Sequence, residues 1–373
     1  MAEHSTARNT TLVFDWGDTL MKDFQQYAGP MIDWPEVALV DGALEALTGL
    51  RDEWSMVVAT NAAESDASLV WQALNRAGIG DFFKAVFTSR EMEGAQKPDL
   101  RFFRQLENVI DRPPHQLVMI GDNYAKDILG AKAAGWGAVW LNPGYHAAGG
   151  MIPLHDAEVH HLRELPSALA RMTLPDYPTC LAWLASRDTP FNILAHINLV
   201  ASTAYQLALW MAQVGEQVDP LLTHRGGMLH DLGKIDSIRA GKERGEHGDH
   251  AGLARTMLLE RSQPELAEIA DRHMIYDDPD YARRPLTWEQ KLVNYADKLA
   301  DGSRLVTIEQ RLEGLKARYP QQAASLENSM AALGPLQAEI CARLELTPQA
   351  LAEKLRGALG ILWKTRFNPR PAG

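Results

Sequence analysis

The stretch Leu117-Val118-Met119-Ile120-Gly121-Asp122-Asn123 decides how the first half of the chain is read. Four consecutive apolar residues, closed by a glycine, are the pattern of a strand buried on both faces, and a carboxylate stands just past its end. A helical pattern over Leu100–Val109 precedes this strand, and a second apolar run, Ala138-Val139-Trp140-Leu141, follows it. Further upstream, Thr11-Leu12-Val13-Phe14, Ser55-Met56-Val57-Val58-Ala59 and Ala85-Val86-Phe87 repeat the strand pattern, with helical stretches over Val37–Leu50 and Ala67–Ala77. Strands alternating with helices predict an α/β doubly wound parallel sheet. Ligands of such sheets bind at the carboxyl ends of the strands, which directs attention to the polar residues found there. They are Asp15-Trp16-Gly17-Asp18-Thr19-Leu20 after the first strand, Thr60-Asn61 after the second, and Asp122-Asn123 with Asp127 after the fourth. Lys97-Pro98-Asp99 opens a helix.

The chain has 373 residues, too many for one ordinary core, so two domains are expected. Its formal charge of −11 argues against a nucleic-acid polymer as partner, because phosphate backbones reward a basic surface. A small phosphate ester beside a metal is not excluded, since the charges cancel locally. Cys180 and Cys341 are the only cysteines, which leaves no disulfide framework or thiolate metal site and points to a cytoplasmic setting. Met1–Thr10 is polar, and no run reads as a membrane span.

Past Leu174-Pro175-Asp176-Tyr177-Pro178 the strand signal disappears. Phe191–Val214 reads as a long helix started by Thr189-Pro190, Asp219-Pro220 opens the next, and Thr287-Trp288-Glu289-Gln290 fits a capping box for another through Leu299. Thr347-Pro348 opens a late helix. The expected organisation is an α/β domain over 8–173, a linker over 174–180 and an all-α helical bundle over 181–366.

In the first half, a carboxylate nucleophile can attack phosphorus if Mg²⁺ and a lysine neutralise the developing charge. Asp15 and Asp122 offer Mg²⁺ the oxygens it prefers. Ile120-Gly121-Asp122-Asn123, followed by Asp127, Gly130-Ala131 and Ala134-Gly135, together with the motifs at Asp15, Thr60 and Lys97 in that order, resembles the haloacid dehalogenase superfamily of phosphotransferases. The resemblance implies Asp15 as nucleophile, Thr60 and Lys97 as phosphoryl holders, and Asp122 with Asp127 organising Mg²⁺. One position departs from that pattern. Two residues after the nucleophile, where these phosphatases usually carry a second aspartate as general acid, stands Gly17, whose carbonyl is able to bind Mg²⁺ but not to donate a proton. The spacings after Leu20 and between Asn61 and Lys97 leave no room for a helical cap, so the domain is expected to be capless.

In the second half, His230-Asp231 closes the run Gly227-Met228-Leu229 and forms a two-ligand corner for a metal. His196 and Asp297 both sit in largely apolar helices. A lone histidine there is more often core packing than a ligand, whereas a buried carboxylate requires a cation or metal beside it. Two imidazoles and two carboxylates suit Fe, Mn, Co or Zn better than Mg or Ca. The order His196, His230-Asp231, Asp297, with Tyr295-Ala296-Asp297-Lys298 leading into Val306–Leu312, resembles the HD-domain phosphohydrolases. The resemblance implies a first metal on these four residues and, in some members, a second on two further histidines with the carboxylate bridging. His273 matches one. His247 and His250 both precede Ala251-Gly252-Leu253-Ala254, and spacing favours His247; a Gly-rich surface loop is the alternative for the pair. Lys234 or Arg272 is placed to stabilise phosphate charge, although a lysine at a helix end also answers the helix dipole.

The reading is a two-domain metal-dependent phosphohydrolase acting on nucleotides or related small phosphate esters. The helical site would use metal-activated water and the α/β site an aspartate nucleophile with Mg²⁺. Two alternatives stand beside it: catalysis confined to the helical half, with the first half binding or regulating, and a non-enzymatic metal-dependent nucleotide sensor.

Overall fold

Thr11–Phe14 (β1) and Leu117–Gly121 (β4) lie side by side at the centre of a six-stranded sheet, with Phe14 level with Ile120. The computed structural model describes residues 10–62, 64–244, 249–275 and 282–366. Its chain forms two units, one running up to His146 together with Leu154–Thr173, the other comprising Ala147–Pro153 and the chain from Leu174 onward.

In the first unit the sheet order is β3-β2-β1-β4-β5-β6, with β2 at Ser55–Ala59, β3 at Val86–Phe87, β5 at Gly137–Leu141 and β6 at Ala157–Val159. All neighbouring pairs are parallel. The order reverses between β1 and β4, and a crevice opens at the carboxyl ends of strands at such a reversal. Asp15 and Asp122 leave the sheet there. β6 escaped the sequence reading because Ala157-Glu158-Val159 is too short to show a period. Helices α1 (Ala43–Leu50), α2 (Ala67–Arg76), α3 (Leu100–Ile110), α4 (Gly130–Ala134) and α5 (Leu165–Ala170) complete the unit. The expected helix from Val37 begins only at Ala43, because Lys22 donates to the Ala38 carbonyl and Val40 to that of Leu20, which holds residues 38–40 extended.

No helical cap stands among the described residues of this unit. The loop between β1 and α1 instead forms an ordered flap, with Phe24, Tyr27 and Trp34 in mutual ring contact. Arg76 at the end of α2 pins it by donating to the carbonyls of Ile32 at 2.9 Å, Trp34 at 2.7 Å and Pro35 at 3.0 Å.

The second unit is helical. Asp176 caps α6 (Tyr177–Ala185), so the segment expected as a linker is already helical from Tyr177. α7 (Phe191–Gln213), α8 (Pro220–Leu229), α9 (Lys234–Arg244), α10 (His250–Leu259), α11 (Pro264–Asp271) and α12 (Trp288–Lys298) surround the site, and α13 (Ile308–Arg318), α14 (Ala323–Arg343) and α15 (Pro348–Arg366) follow. Thr287 and Gln290 form the expected capping box. Two findings correct the sequence reading. A two-residue hairpin, β7 (Ala300–Asp301) with β8 (Arg304–Leu305), interrupts the helices, turned by Gly302 at φ +59°. And α7, at 23 residues, is long and apolar enough to cross a membrane by composition, with 78% of its apolar window buried within the protein. Its apolarity belongs to the helix at the centre of this unit. α7 and α8 pack backbone to backbone: a Cβ on Gly227 would lie 2.6 Å from Ala201 Cα.

Candidate metal and phosphate sites

At the β1/β4 crevice, Asp15, Asp122 and Asp127 bring carboxylate oxygens within 4.8 Å of one another. Asp127 comes from a π-helical turn, Tyr124–Leu129, that directly follows β4. Its carboxylate occupies the space where a side chain at residue 121 would begin, which is why that position is glycine. Lys97 is buried between two of these acids, its Nζ 2.6 Å from Asp15 Oδ1 and 2.6 Å from Asp127 Oδ1, and donates to the Ala59 carbonyl at 3.0 Å. Burial pushes the Lys97 ammonium down, but Asp15 and Asp127 outweigh it and its pKa is raised. Burial, against the pull of Lys97, pushes Asp127 up to about 7. Asp122 is also raised, by burial and then by the Asp15 charge. Thr19, buried and absent from the sequence-predicted set, donates its hydroxyl to Asp122 Oδ1 at 3.0 Å and accepts the Asp122 N–H at 3.1 Å.

These groups line a cavity of about 410 Å³ together with Gly17, Thr60 and Asp23. Asp23 was also missed; partial burial, with the charges of Asp18 and Asp15, raises its carboxyl. Met31 and Trp34 of the flap face the same cavity. The three acids are hard oxygen donors beside an ordered lysine, a set that fits Mg²⁺.

In the second unit the structure brings His196, His230, Asp231 and Asp297 together. His196 Nε2 is 3.0 Å from Asp297 Oδ1 and 3.9 Å from Asp231 Oδ2; His230 Nε2 is 3.4 Å from Asp231 Oδ2. The other oxygen of Asp231 turns away toward His250 Nε2 at 3.4 Å and His273 Nε2 at 3.7 Å. His250 and His273 face each other Nε2 to Nε2 at 3.2 Å. His250, at the start of α10, is the histidine placed here. His247, which the spacing had favoured, lies outside the described residues.

The far nitrogens of three imidazoles point to main-chain carbonyls: His196 Nδ1 to Gly302 at 3.3 Å, His230 Nδ1 to Gly227 at 2.7 Å and His273 Nδ1 to Ala270 at 2.6 Å. A carbonyl only accepts, so in the neutral rings each Nδ1 carries the hydrogen and each Nε2 presents a lone pair toward the carboxylates. Lone pairs and carboxylate oxygens repel at these distances unless a cation lies among them. His230 Nε2 and Asp231 Oδ1 are buried without a hydrogen bond among the described residues. The donor set therefore fits metal ions, with Asp231 between two positions. Burial lowers His273 and His250, keeping those imidazoles neutral. At His230 burial is outweighed by Asp231, and the pKa rises.

Lysines close the outer edges. Lys234 Nζ is 2.5 Å from Asp231 Oδ2, which places it at the site rather than on a solvated helix end. Lys298, buried and not foreseen, contacts Asp297 Oδ2 at 2.7 Å and donates to the His273 carbonyl. Its signal was available: a lysine directly after the acid in Tyr295-Ala296-Asp297-Lys298. Arg272 instead binds Glu268 and the carbonyls of Ala282 and Arg284.

Comparison with known proteins follows the same division. Residues 13–135 match the haloacid dehalogenase-like hydrolase family, and residues 193–302 match the HD domain. The chain is similar to the uncharacterized protein MJ0778 of Methanocaldococcus jannaschii, 31% identical over 150 residues that cover 36% of this chain and 82% of that protein. It is also 40% identical over 72 residues to a glyceraldehyde 3-phosphate phosphatase of Methanothermobacter thermautotrophicus, covering 19% of this chain and 31% of that enzyme. Most of that relative's length is therefore unmatched. The solved structure of an uncharacterized protein from Listeria monocytogenes serotype 4b is 28% identical, covering 44% of this chain and 98% of its own, with a TM-score of 0.39. Through residues 13–135 the chain belongs to the haloacid dehalogenase-like hydrolases, and through residues 193–302 to the HD-domain proteins.

Proposed function

We propose that the chain is a metal-dependent phosphohydrolase with two catalytic centres. In the first, Asp15 is the nucleophile on phosphorus, Lys97 and Thr60 hold the phosphoryl oxygens, and Asp15, Asp122 and Asp127 would hold Mg²⁺. In the second, His196, His230, Asp231 and Asp297 would hold one ion of Fe, Mn, Co or Zn, and Asp231, His250 and His273 another. When bound, such ions neutralise phosphoryl charge and bring the pKa of a bound water toward neutrality. Lys97, fixed between Asp15 and Asp127, keeps its charge at the phosphoryl position without reorganising. Lys234 brings a further positive charge to the second centre. The first cavity, about 410 Å³, suits a ligand the size of a sugar phosphate or a mononucleotide. Cys180 and Cys341 are buried free thiols, which supports a cytoplasmic setting.

The observation that carries this reading is the split of Asp231, one oxygen toward His196 and His230, the other toward His250 and His273. A phosphate-release screen over sugar phosphates, nucleoside mono- and diphosphates and dinucleotides, run separately with Mg²⁺, Mn²⁺ and Fe²⁺, tests it. Release with distinct metal preferences on different esters is expected; no release with any metal contradicts it. A second reading, in which only the helical centre turns over and the first unit binds a phosphorylated ligand, is favoured by one observation, the absence of a side chain at Gly17.

A further inference from the structure

Attack by a carboxylate on a phosphate monoester expels an alkoxide, and that step needs an acid to protonate the departing oxygen. Most polar groups around the first cavity are already engaged. Asp15 and Asp127 pair with Lys97, and Asp122 with Thr19. Asp18 is turned by a left-handed backbone (φ 54°) and accepts the Asp23 N–H at 2.9 Å. Asp23, whose side chain is hydrogen-bonded to that of Gln25, is placed differently. The three atoms nearest to a Cβ built on Gly17 all belong to Asp23: its Cβ at 3.7 Å, its Oδ2 at 3.8 Å and its Cγ at 4.0 Å. The Asp23 carboxyl thus stands beside the space that a side chain from position 17 would enter, and it lines the same cavity as Asp15 and Thr60. The turn bearing it is held by Asp18 N–H donating to the Met21 carbonyl at 2.7 Å and Lys22 N–H to that of Ala38 at 2.9 Å.

We propose that Asp23 is the proton donor of the first centre, reaching from the flap into the place that Gly17 leaves open. The proposal rests on that centre being catalytic. In the first step an Asp15 carboxylate oxygen bonds to phosphorus while the bond from phosphorus to the ester oxygen breaks. The ester oxygen takes the proton of the Asp23 carboxyl, giving the free alcohol, an aspartyl phosphate at Asp15 and an Asp23 carboxylate. In the second step that carboxylate takes a proton from water as the water oxygen bonds to phosphorus and the bond to Asp15 breaks. Phosphate leaves, both aspartates return to their starting states, and one water is consumed per ester.

The test uses the full chain carrying His230→Ala and Asp231→Ala, so that release comes from the first centre. Asp23→Asn is expected to lower kcat on an alkyl ester such as glycerol phosphate by about 10²-fold or more. On p-nitrophenyl phosphate, whose phenolate leaves with little need of a proton, the loss should shrink to less than about tenfold. Adding Gly17→Asp to Asp23→Asn should recover much of the alkyl-ester rate, since a Cβ at position 17 comes no nearer than 3.7 Å to its neighbours, an ordinary van der Waals contact. Equal losses on both esters, no loss on either, or no recovery by Gly17→Asp would overturn the assignment. If instead Asp15→Asn in the same background changes neither rate, the first centre is not catalytic and the underlying reading falls with it.

Discussion

Lys97 is a cation almost wholly out of water, and its burial is sustained by the two carboxylates it joins. Replacing it with methionine leaves Asp15 and Asp127 facing each other unpaired. Lys97→Met is expected to cost about 3 kcal/mol in urea unfolding of the first unit and to abolish Mg²⁺-dependent release. His250 and His273 give a pH test. Desolvation lowers the pKa of both, so below about pH 6.5 they bind fewer protons in the folded chain than in the unfolded one. The unfolded state then binds more protons, so stability falls as pH drops below that value; His230, raised by Asp231, opposes them with the reverse sign. The helical unit of chelator-treated protein should therefore melt lower at pH 5.5 than at pH 7.5, while Asp127, raised to about 7, gives the first unit the opposite dependence. Elemental analysis of His250→Ala should show one metal lost from the helical centre relative to wild type. The choice of His250 was not legible beforehand, because spacing alone does not reveal which residue of a Gly-rich stretch begins the next helix. Thr19 was equally hidden, as its role depends on a contact with Asp122 that only the fold creates.

At the scale of elements, the second centre depends on how closely α7 and α8 approach. Gly227 lies against the Ala201 backbone, and its carbonyl also faces Nδ1 of His230. Gly227→Ala should push the helices apart, costing about 1–3 kcal/mol in thermal unfolding and weakening metal retention in dialysis. The flap makes a parallel case. Arg76→Ala removes the donors that hold residues 32–35 and should raise KM at the first centre several-fold with a smaller change in kcat. The long strands and helices were legible because each shows several turns or residues of its period: β1, β2, β4, β5, α2, α3 and α7 agree with the pattern to within a residue or two. β6, the β7–β8 hairpin and the extended residues 38–40 were not. They are two or three residues long, too short to show a period, and β6 and residues 38–40 are held by partners distant in sequence.

At the scale of the molecule, the chain carries two units, each with its own core and its own constellation of charged ligands. Both constellations gather carboxylates that cations must balance, in keeping with the net charge of −11. The two motif sets were readable because each spans a whole domain in order; the acid that serves Gly17 was not, because it comes from a different turn of the flap. The central claim is that two separate phosphohydrolase centres operate in one chain. Its most direct test is phosphate release across one panel of esters by wild type, Asp15→Asn, His230→Ala/Asp231→Ala and the triple variant. The account predicts that Asp15→Asn loses the Mg²⁺-dependent esters, the paired substitution loses those requiring a transition metal, and the triple variant releases none. A full wild-type profile in Asp15→Asn, or in the His230→Ala/Asp231→Ala protein, would contradict it.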